Sequence, residues 1–556
     1  MHAHSAVLNK DLYRLDIIHY NDFHDRFEET TVLYPVCDSN NNDCLGGFAR
    51  LYYEINALLK EKNNALLLNA GDVFQGTYWY TLMKWNITQK FINLLPHDVH
   101  TIGNHEFDDG VAGLAPYLAA LRAPVVAANI DTSAEPALDG LYKSHVILKK
   151  KGRKIGIIGL ATPETRTTSN PEDVKFLDPV NTTKKEVELL TKKGVDIIIV
   201  LSHCGLEVDK KIAKTVGGNI DIIVGGHSHS LLWNGKAPTK EHVSGPYPIV
   251  ITPDTDPDHK VLVVTAASFS KYLGNMTVFF DRKGDLVDFS GTPVFLNRSI
   301  PEVMLGVVVL GLVVTRRVYA IEGGREVLFK DPEIKALLKP YTEKLHSLVR
   351  EVVGYSNEDL LDSKCSSQEC AIGNLVADAF FDATKELKVS NLTHVSFILR
   401  NTMRASLAKG EITRGAIINT LPFANQVVTF ALPGRYLLDV FKLCMTKYYV
   451  ANPFNGPWMP NIAGLRLTIN LTQGVNVVAQ VKEGEEFKDL NPDKEYQVST
   501  LGFLVRKRNN KFAVLVRHGR NIRAVGKDSD ILENYIRKTS PIIPVLDNRL
   551  TVINES

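Results

Sequence analysis

Through the first half of the chain, short runs of β-branched and aliphatic residues alternate with longer stretches whose apolar positions recur every three or four residues. The runs at residues 15–20, 65–69, 154–160, 196–201 and 220–224 predict buried strands, since near-continuous apolar runs suit a strand covered on both faces. Between them, residues 50–62, 111–121 and 184–193 read as amphipathic helices. This rhythm predicts an α/β sandwich whose chemistry lies at the carboxyl ends of its strands. Residues 331–353 then form a long helical pattern with Pro340 inside it. A second α/β region follows from about residue 354, with strands expected at 395–399, 426–431, 465–470, 475–481 and 495–501. Two domains joined by a helix are expected, and no internal repeat is visible.

The most apolar run, residues 303–314, is closed by Thr315-Arg316-Arg317. It falls short of the roughly 20 residues that span a bilayer.

Composition narrows the class without naming it. The 556 residues are 44% hydrophobic and 23% charged, ordinary for a globular protein and too long for one core. Lys+Arg 64 against Asp+Glu 62 leaves +2, so no global field attracts nucleic acid or anionic lipid. An anionic ligand must be held by a local site. Neither a signal peptide nor a GPI signal is read at the termini. Cys37/Cys44 and Cys365/Cys370 flank short polar loops and suit disulfides of an oxidising compartment, with zinc as the rival reading. Cys204 and Cys444 read as buried thiols. Glycosylation sequons begin at Asn86, Asn181, Asn275, Asn297, Asn391 and Asn470, among others. The chain leans extracellular, and a truncated start reconciles that with the missing leader.

Five polar clusters sit after the predicted strands or in the loops beyond. They are Asn21-Asp22-Phe23-His24, Gly71-Asp72-Val73-Phe74-Gln75-Gly76-Thr77, Gly103-Asn104-His105-Glu106-Phe107-Asp108, Ser202-His203-Cys204-Gly205 and Gly225-Gly226-His227-Ser228-His229. A two-metal phosphoesterase needs this mixture, because two cations roughly 3.5–4 Å apart clamp the attacking and leaving oxygens and activate water. Carboxylate with imidazole suits Zn, Mn or Fe. Asp22 and His24 can face one ion, Asp72 can bridge, Asn104, His203 and His227 can complete the second ion, and His229 can return to the first. Each piece alone is weak; the ordered combination favours ligands over surface pairs.

These motifs resemble those of calcineurin-like metallophosphoesterases, and in wording and order they are similar to the ecto-5′-nucleotidase and salivary apyrase family, insect-like branch. The similarity runs from about residue 15 to 553. It implies a four-layer α/β metallophosphoesterase sandwich (15–302), a linker helix (331–353) and a separate C-terminal α/β nucleotide-binding domain (354–556). It implies two divalent ions, usually zinc, with calcium, magnesium or manganese as alternatives, held by Asp22, His24, Asp72, Asn104, His203, His227 and His229. His105 and Asp108 match the catalytic dyad. Phe423 in Leu421-Pro422-Phe423 and Phe503 match the aromatic pair that sandwiches the base. Arg404 keeps the place of a substrate-binding arginine, and Asn401 stands in for an asparagine in a shifted loop.

Other elements depart from the family. Its Gly-Gly-Asp-Gly-Phe, whose Asp holds the ribose hydroxyls, reads Arg508-Asn509-Asn510-Lys511-Phe512, and an arginine after the first cysteine of the second pair is Ser366. Residues 303–330 look inserted, since Glu302 would continue naturally into Asp331; a translated intron is the expectation. The resemblance implies hydrolysis of AMP to nucleoside and phosphate, with an apyrase acting on ATP and ADP as the alternative. A nucleotide-binding protein of weak activity is a second alternative, and a phosphodiesterase or sugar-nucleotide hydrolase a third. No nucleic acid or membrane span is expected.

Overall fold

The computed structural model describes residues 12–37, 43–301, 308–309, 312–313, 318–322, 325–329, 334–387, 391–446, 458–472, 474–506 and 512–553. Their contacts divide into two compact units. One takes its described residues from Met1–Val32, Val36–Gln75 and Met83–Glu343, the other from Leu33–Pro35, Gly76–Leu82 and Lys344–Ser556. The reading of residues 508–511 and the start of the helix at Asp331-Pro332 lie outside the described residues.

The first unit holds two facing sheets. The seven-stranded sheet runs Leu286–Gly291, Tyr272–Phe280, Tyr13–Tyr20, Ala65–Asn69, Val99–Thr101, Val125–Val126, with Val294–Phe295 also on Tyr272–Phe280. The six-stranded sheet runs Ile249–Ile251, Val261–Val264, Ile222–Gly225, Ile197–His203, Arg153–Ala161, His145–Lys150. Leu15, Ile17, Leu66 and Leu68 of the first meet Ile155, Ile157, Ile199 and Val224 of the second in one buried cluster. The amphipathic helices Phe48–Glu61 on the first sheet, and Pro179–Lys192 and Leu206–Val216 on the second, complete four layers. Tyr13–Tyr20, Ala65–Asn69 and Val99–Thr101 pair in parallel, as do Arg153–Ala161, Ile197–His203 and Ile222–Gly225. Their carboxyl ends therefore open toward one edge of each sheet, where parallel sheets place ligands.

The second unit pairs a five-stranded sheet, ordered Pro460–Ala463, Thr393–Leu399, Glu495–Leu501, Gln426–Pro433, Arg520–Lys527, with a four-stranded one. Helices Ala371–Glu386, Gly434–Thr446 and Asp528–Thr539 share its core through Val376, Phe380, Leu437, Phe441 and Leu532.

One expectation is corrected. The helix at 331–353 stops at Val349, and Val352–Ser356 is a strand paired with Gly410–Thr413. The β-branched pair Val352-Val353 and the tight site of Gly354, where a Cβ would meet Ile536 Cγ2 at 2.6 Å, favour extended chain. The antiparallel strands Tyr272–Phe280 and Leu286–Gly291 were not expected; their one-face burial breaks up the apolar run. Nor was the helix Tyr78–Ile92, whose apolar residues fall all around it and which Lys84 interrupts at φ 58°.

Cys37–Cys44 and Cys365–Cys370 are disulfides, and Cys204 and Cys444 are buried and take part in neither. Of the sequon asparagines, Asn86, Asn181 and Asn391 are exposed and Asn275, Asn297 and Asn470 half-buried. Among the described residues no helix is long and apolar enough to cross a membrane.

Candidate metal centre

Three backbone hydrogen bonds zip the loop after Tyr13–Tyr20 to the loop after Ala65–Asn69. They run from Asp22 N to Gly71 O (2.9 Å), His24 N to Asp72 O (3.1 Å) and Asp25 N to Val73 O (3.0 Å). This sets Asp22, His24 and Asp72 side by side and demands unusual backbone. Asp22 (φ 51°), His24 (51°), Asp72 (53°), His227 (75°) and His229 (52°) all occupy the left-handed region. Such residues cost about 1–3 kcal/mol each and persist where the surroundings over-determine them. Gly103 is required for a close approach, because a Cβ there would stand 2.1 Å from Asp72 Oδ1.

Three groups of donor atoms converge within 4.8 Å: Asp22, His24 and His229; His24, Asp72 and His105; Asp72, His203 and His227. His229 Nε2 lies 3.1 Å from Asp22 Oδ1 and 3.2 Å from His24 Nε2. His203 Nε2 lies 3.0 Å from Asp72 Oδ2. Asp22 Oδ1, Asn104 Oδ1 and His203 Nε2 are buried and make no hydrogen bond among the described residues. Buried polar atoms left this way are costly unless another species meets them. Carboxylate, imidazole and amide lone pairs turned inward together fit two divalent cations sharing Asp72.

The outward nitrogens of these rings are accounted for. His24 Nδ1 donates to the carbonyls of Phe74 (3.0 Å) and Gln75 (2.8 Å), and His203 Nδ1 to that of Ala70 (2.6 Å). His227 Nε2 instead donates to Glu164 Oε2 at 3.3 Å. Such partners fix the tautomer that offers the other nitrogen to a metal.

Burial would raise the Asp22 carboxyl, but the imidazoles of His229 and His24 outweigh it and hold it well below the usual range. Asp72 is likewise lowered against burial by the charges of His203 and His105. Burial would lower His203, yet Asp72 raises it to about 10. The carboxylates thus demand positive charge here, supplied by protons or by metal ions.

His105 follows Asn104 in a short turn, its N–H on Asp72 Oδ1 at 2.9 Å and its Nδ1 2.7 Å from Asp108 Oδ2. Its ring meets that of His24 edge to face at 5.2 Å. A ring nitrogen of His105 lies within 4.8 Å of donor atoms of His24 and Asp72.

Four side chains beside the ligands carry structure that the sequence did not assign. Glu106, 2% exposed, accepts N–H groups from Asp72, Val73, Phe74 and Gly103 at 3.0, 2.8, 3.2 and 2.6 Å. Asn21 Nδ2 donates to Asp22 Oδ2 and to Ala267 O, both at 2.6 Å. Phe269, in the left-handed region at φ 65°, packs against His24 and His229 with centroids 5.5 and 5.1 Å away. Glu164 is the fourth. Asn21 and Glu106 abut ligands within their motifs; Phe269 and Glu164 lie in loops with no local signal.

In the second unit, Gln426–Pro433 and Glu495–Leu501 are antiparallel with Val427 opposite Leu501. Phe423, just before the first strand, and Phe503, just after the second, therefore emerge at one end of the sheet, both half-buried. Thr393–Leu399 runs parallel to Glu495–Leu501 and brings Asn401 and Arg404 to the same end. The Arg404 guanidinium lies 5.9 Å from the Phe423 ring centroid, and Asn401 Oδ1 is buried with no hydrogen bond among the described residues. Beside Ser366 stands another guanidinium, that of Arg400, with Nε 3.3 Å from Ser366 Oγ and Nη2 2.9 Å from Asp362.

The chain matches the calcineurin-like phosphoesterase family over residues 15–231 and the 5′-nucleotidase C-terminal domain over 352–517. It is similar to an apyrase of Tabanus yao, 37% identical over 558 residues, 97% of this chain and 94% of that protein. It is also similar to the 5′-nucleotidase of Homo sapiens, 31% identical over 560 residues, 97% and 91%. The crystal structure of a 5′-nucleotidase precursor from Thermus thermophilus superimposes with a TM-score of 0.85 at 30% identity, covering 98% of this chain and 100% of that one.

Proposed function

We propose that this chain, which belongs to the 5′-nucleotidase family of calcineurin-like metallophosphoesterases and hydrolyses nucleotide phosphate groups with divalent metal ions, acts on nucleoside 5′-monophosphates, AMP foremost, releasing nucleoside and inorganic phosphate. The observation that carries hydrolysis is the His105–Asp108 pair, set at 2.7 Å beside an inward-facing donor set that shares Asp72. A protein that merely sequestered nucleotides would need neither.

Asp22, His24, Asp72 and His229 would hold one ion and Asp72, Asn104, His203 and His227 the other; the four imidazoles support zinc. When bound, the ion pair supplies Lewis acidity and an activated water for attack on phosphorus. His105, protonated on both nitrogens, places Nε2–H on a phosphoryl oxygen and stabilises the charge gathering there, while Asp108 accepts Nδ1–H and fixes the orientation of the ring. Phe423 and Phe503 hold the base between their faces, and Arg404 and Asn401 hold the remaining polar groups of the nucleotide. The two disulfides and the exposed sequons at Asn86, Asn181 and Asn391 support an extracellular, secreted glycoprotein.

A second reading, hydrolysis of ATP and ADP to AMP, is favoured by the 37% identity to the Tabanus yao apyrase. Phosphate release from AMP, ADP and ATP, with added zinc or calcium and with chelator, separates the two. Release from AMP that chelator abolishes is expected. Turnover of ADP and ATP with AMP accumulating would replace the first reading by the second. Silence on all three in a metal-loaded protein would overturn both.

A further inference from the structure

The short segment after the strand Arg153–Ala161 has no motif and no assigned ligand, yet it touches both halves of the centre. Its Glu164 Oε2 lies 3.3 Å from His227 Nε2. Five residues on, Ser169 Oγ donates to Asp108 Oδ1 at 2.5 Å, the carboxylate whose other oxygen holds His105 Nδ1. We infer that residues 162–169 form a brace with two positioning residues, Glu164 for the ligand His227 and Ser169 for the Asp108–His105 pair.

The segment is built to hold its shape. The Glu164 carbonyl accepts the N–H groups of Thr167 and Thr168 at 2.8 and 3.0 Å and both their hydroxyls, at 2.9 and 3.0 Å. Glu164 N donates to Thr162 Oγ1 at 3.3 Å, and Ser169 N to Thr165 O at 3.1 Å. Beyond Ser169, Glu172 Oε1 accepts Val111 N at 3.1 Å, which ties the segment to the far side of Asp108. Phe176 packs edge to face on Phe107 at 5.7 Å. Asp108 is thus gripped from a second segment of the chain, and not only by its own turn.

Glu164 matters because His227 differs from His24 and His203 in how it is held. His24 and His203 are oriented by backbone carbonyls, which no side-chain change removes, whereas His227 depends on a side-chain carboxylate. With Nε2–H given to Glu164, Nδ1 is the nitrogen offered toward Asp72 and His203. A carboxylate partner also makes the imidazole a stronger base toward a cation. Ser169 acts one atom further out: its hydroxyl fixes the rotation of the Asp108 carboxylate, and so the direction of His105.

The inference rests on the proposed roles of His227 and His105, and its test reads the two apart. Zinc binding is titrated against a competing chelator in the full chain, alongside phosphate release and metal-free thermal unfolding. Glu164→Ala is expected to weaken one of two ions by about 10–100-fold, with Glu164→Gln, which keeps an acceptor oxygen but no charge, in between. Excess zinc should restore its activity. Ser169→Ala is expected to bind both ions as wild type does while kcat falls about tenfold at little changed KM, with Ser169→Thr recovering most of it. Unchanged zinc affinity in Glu164→Ala, or unchanged kcat in Ser169→Ala, overturns the brace. So does a lower metal-free Tm as the sole effect, which marks a purely structural segment. A wild type that binds two ions but releases no phosphate overturns the proposed function, and the Glu164→Ala titration still decides this inference.

Discussion

Glu106 shows how one side chain sets the accuracy of the centre. Its carboxylate gathers four backbone N–H groups from the loops that carry Asp72 and Asn104, so both loops hang on one anion. Burial first, and then the charge of Asp72, push it up to about 7, against the amides that favour its ionised form. Glu106→Gln keeps the shape but turns an NH2 toward N–H donors, leaving buried donors unmet. Each unmet donor costs roughly 1–3 kcal/mol. The expected result is a fall in Tm together with weaker binding of both ions, because Asp72 serves both. Calorimetric unfolding and a zinc titration check this. Wild-type zinc affinity in a folded Glu106→Gln protein would separate loop geometry from metal binding. Asp22, Asp72 and their histidines were readable because the chemistry needs those residue types; Glu106 stood in view without a role, since four backbone contacts leave no mark on the sequence.

At the scale of elements, burial and helix ends compete, and Asp528 records which wins. It opens the helix Asp528–Thr539, where the exposed N–H groups favour a carboxylate. It is fully buried, however, and burial raises it to about 7 despite the Ser529 N–H at 2.8 Å. Its folded pKa is therefore above the unfolded one. The linked stability is fully present below about pH 4 and is lost as pH rises through about 7. Asp528→Asn removes this dependence. It is expected to match wild type at pH 4 and to exceed it by on the order of 1 kcal/mol at pH 8, about 2–4 °C in Tm. Melting both proteins across that range in chelator, so that metal binding does not intrude, is the check. Equal Tm values at pH 8 would mean Asp528 stays ionised and the helix end prevails. The same competition explains what the apolar pattern concealed. The parallel strands, buried on both faces, were legible as runs, whereas Tyr272–Phe280, fully buried on one face and partly covered on the other, and the all-round apolar helix Tyr78–Ile92 were not.

Over the whole molecule, the two-region architecture and the order of metal loops were legible because each loop follows a strand and strand ends dictate where chemistry sits. The brace at 162–169 was not, because its partners lie 61 and 63 residues away in sequence. Residues 303–330 pose the remaining question at this scale. Their described strands pair only with one another, Val308–Val309 with Leu312–Val313 and Val318–Glu322 with Arg325–Phe329, and join neither sheet of the first unit. A segment whose described strands join neither sheet can be removed without breaking a described ladder. Closing a shorter connection also costs less entropy, by a few tenths of a kcal/mol up to about 1. We therefore expect deletion of residues 303–330 to leave zinc affinity and phosphate release unchanged and Tm equal or slightly higher. Transcript reads that skip the segment are expected as well, since a translated intron accounts for its apolar composition. A deletion that unfolds the protein, or abundant transcripts that carry the segment, would make it a native part of the chain, whose partners then lie beyond the strands described.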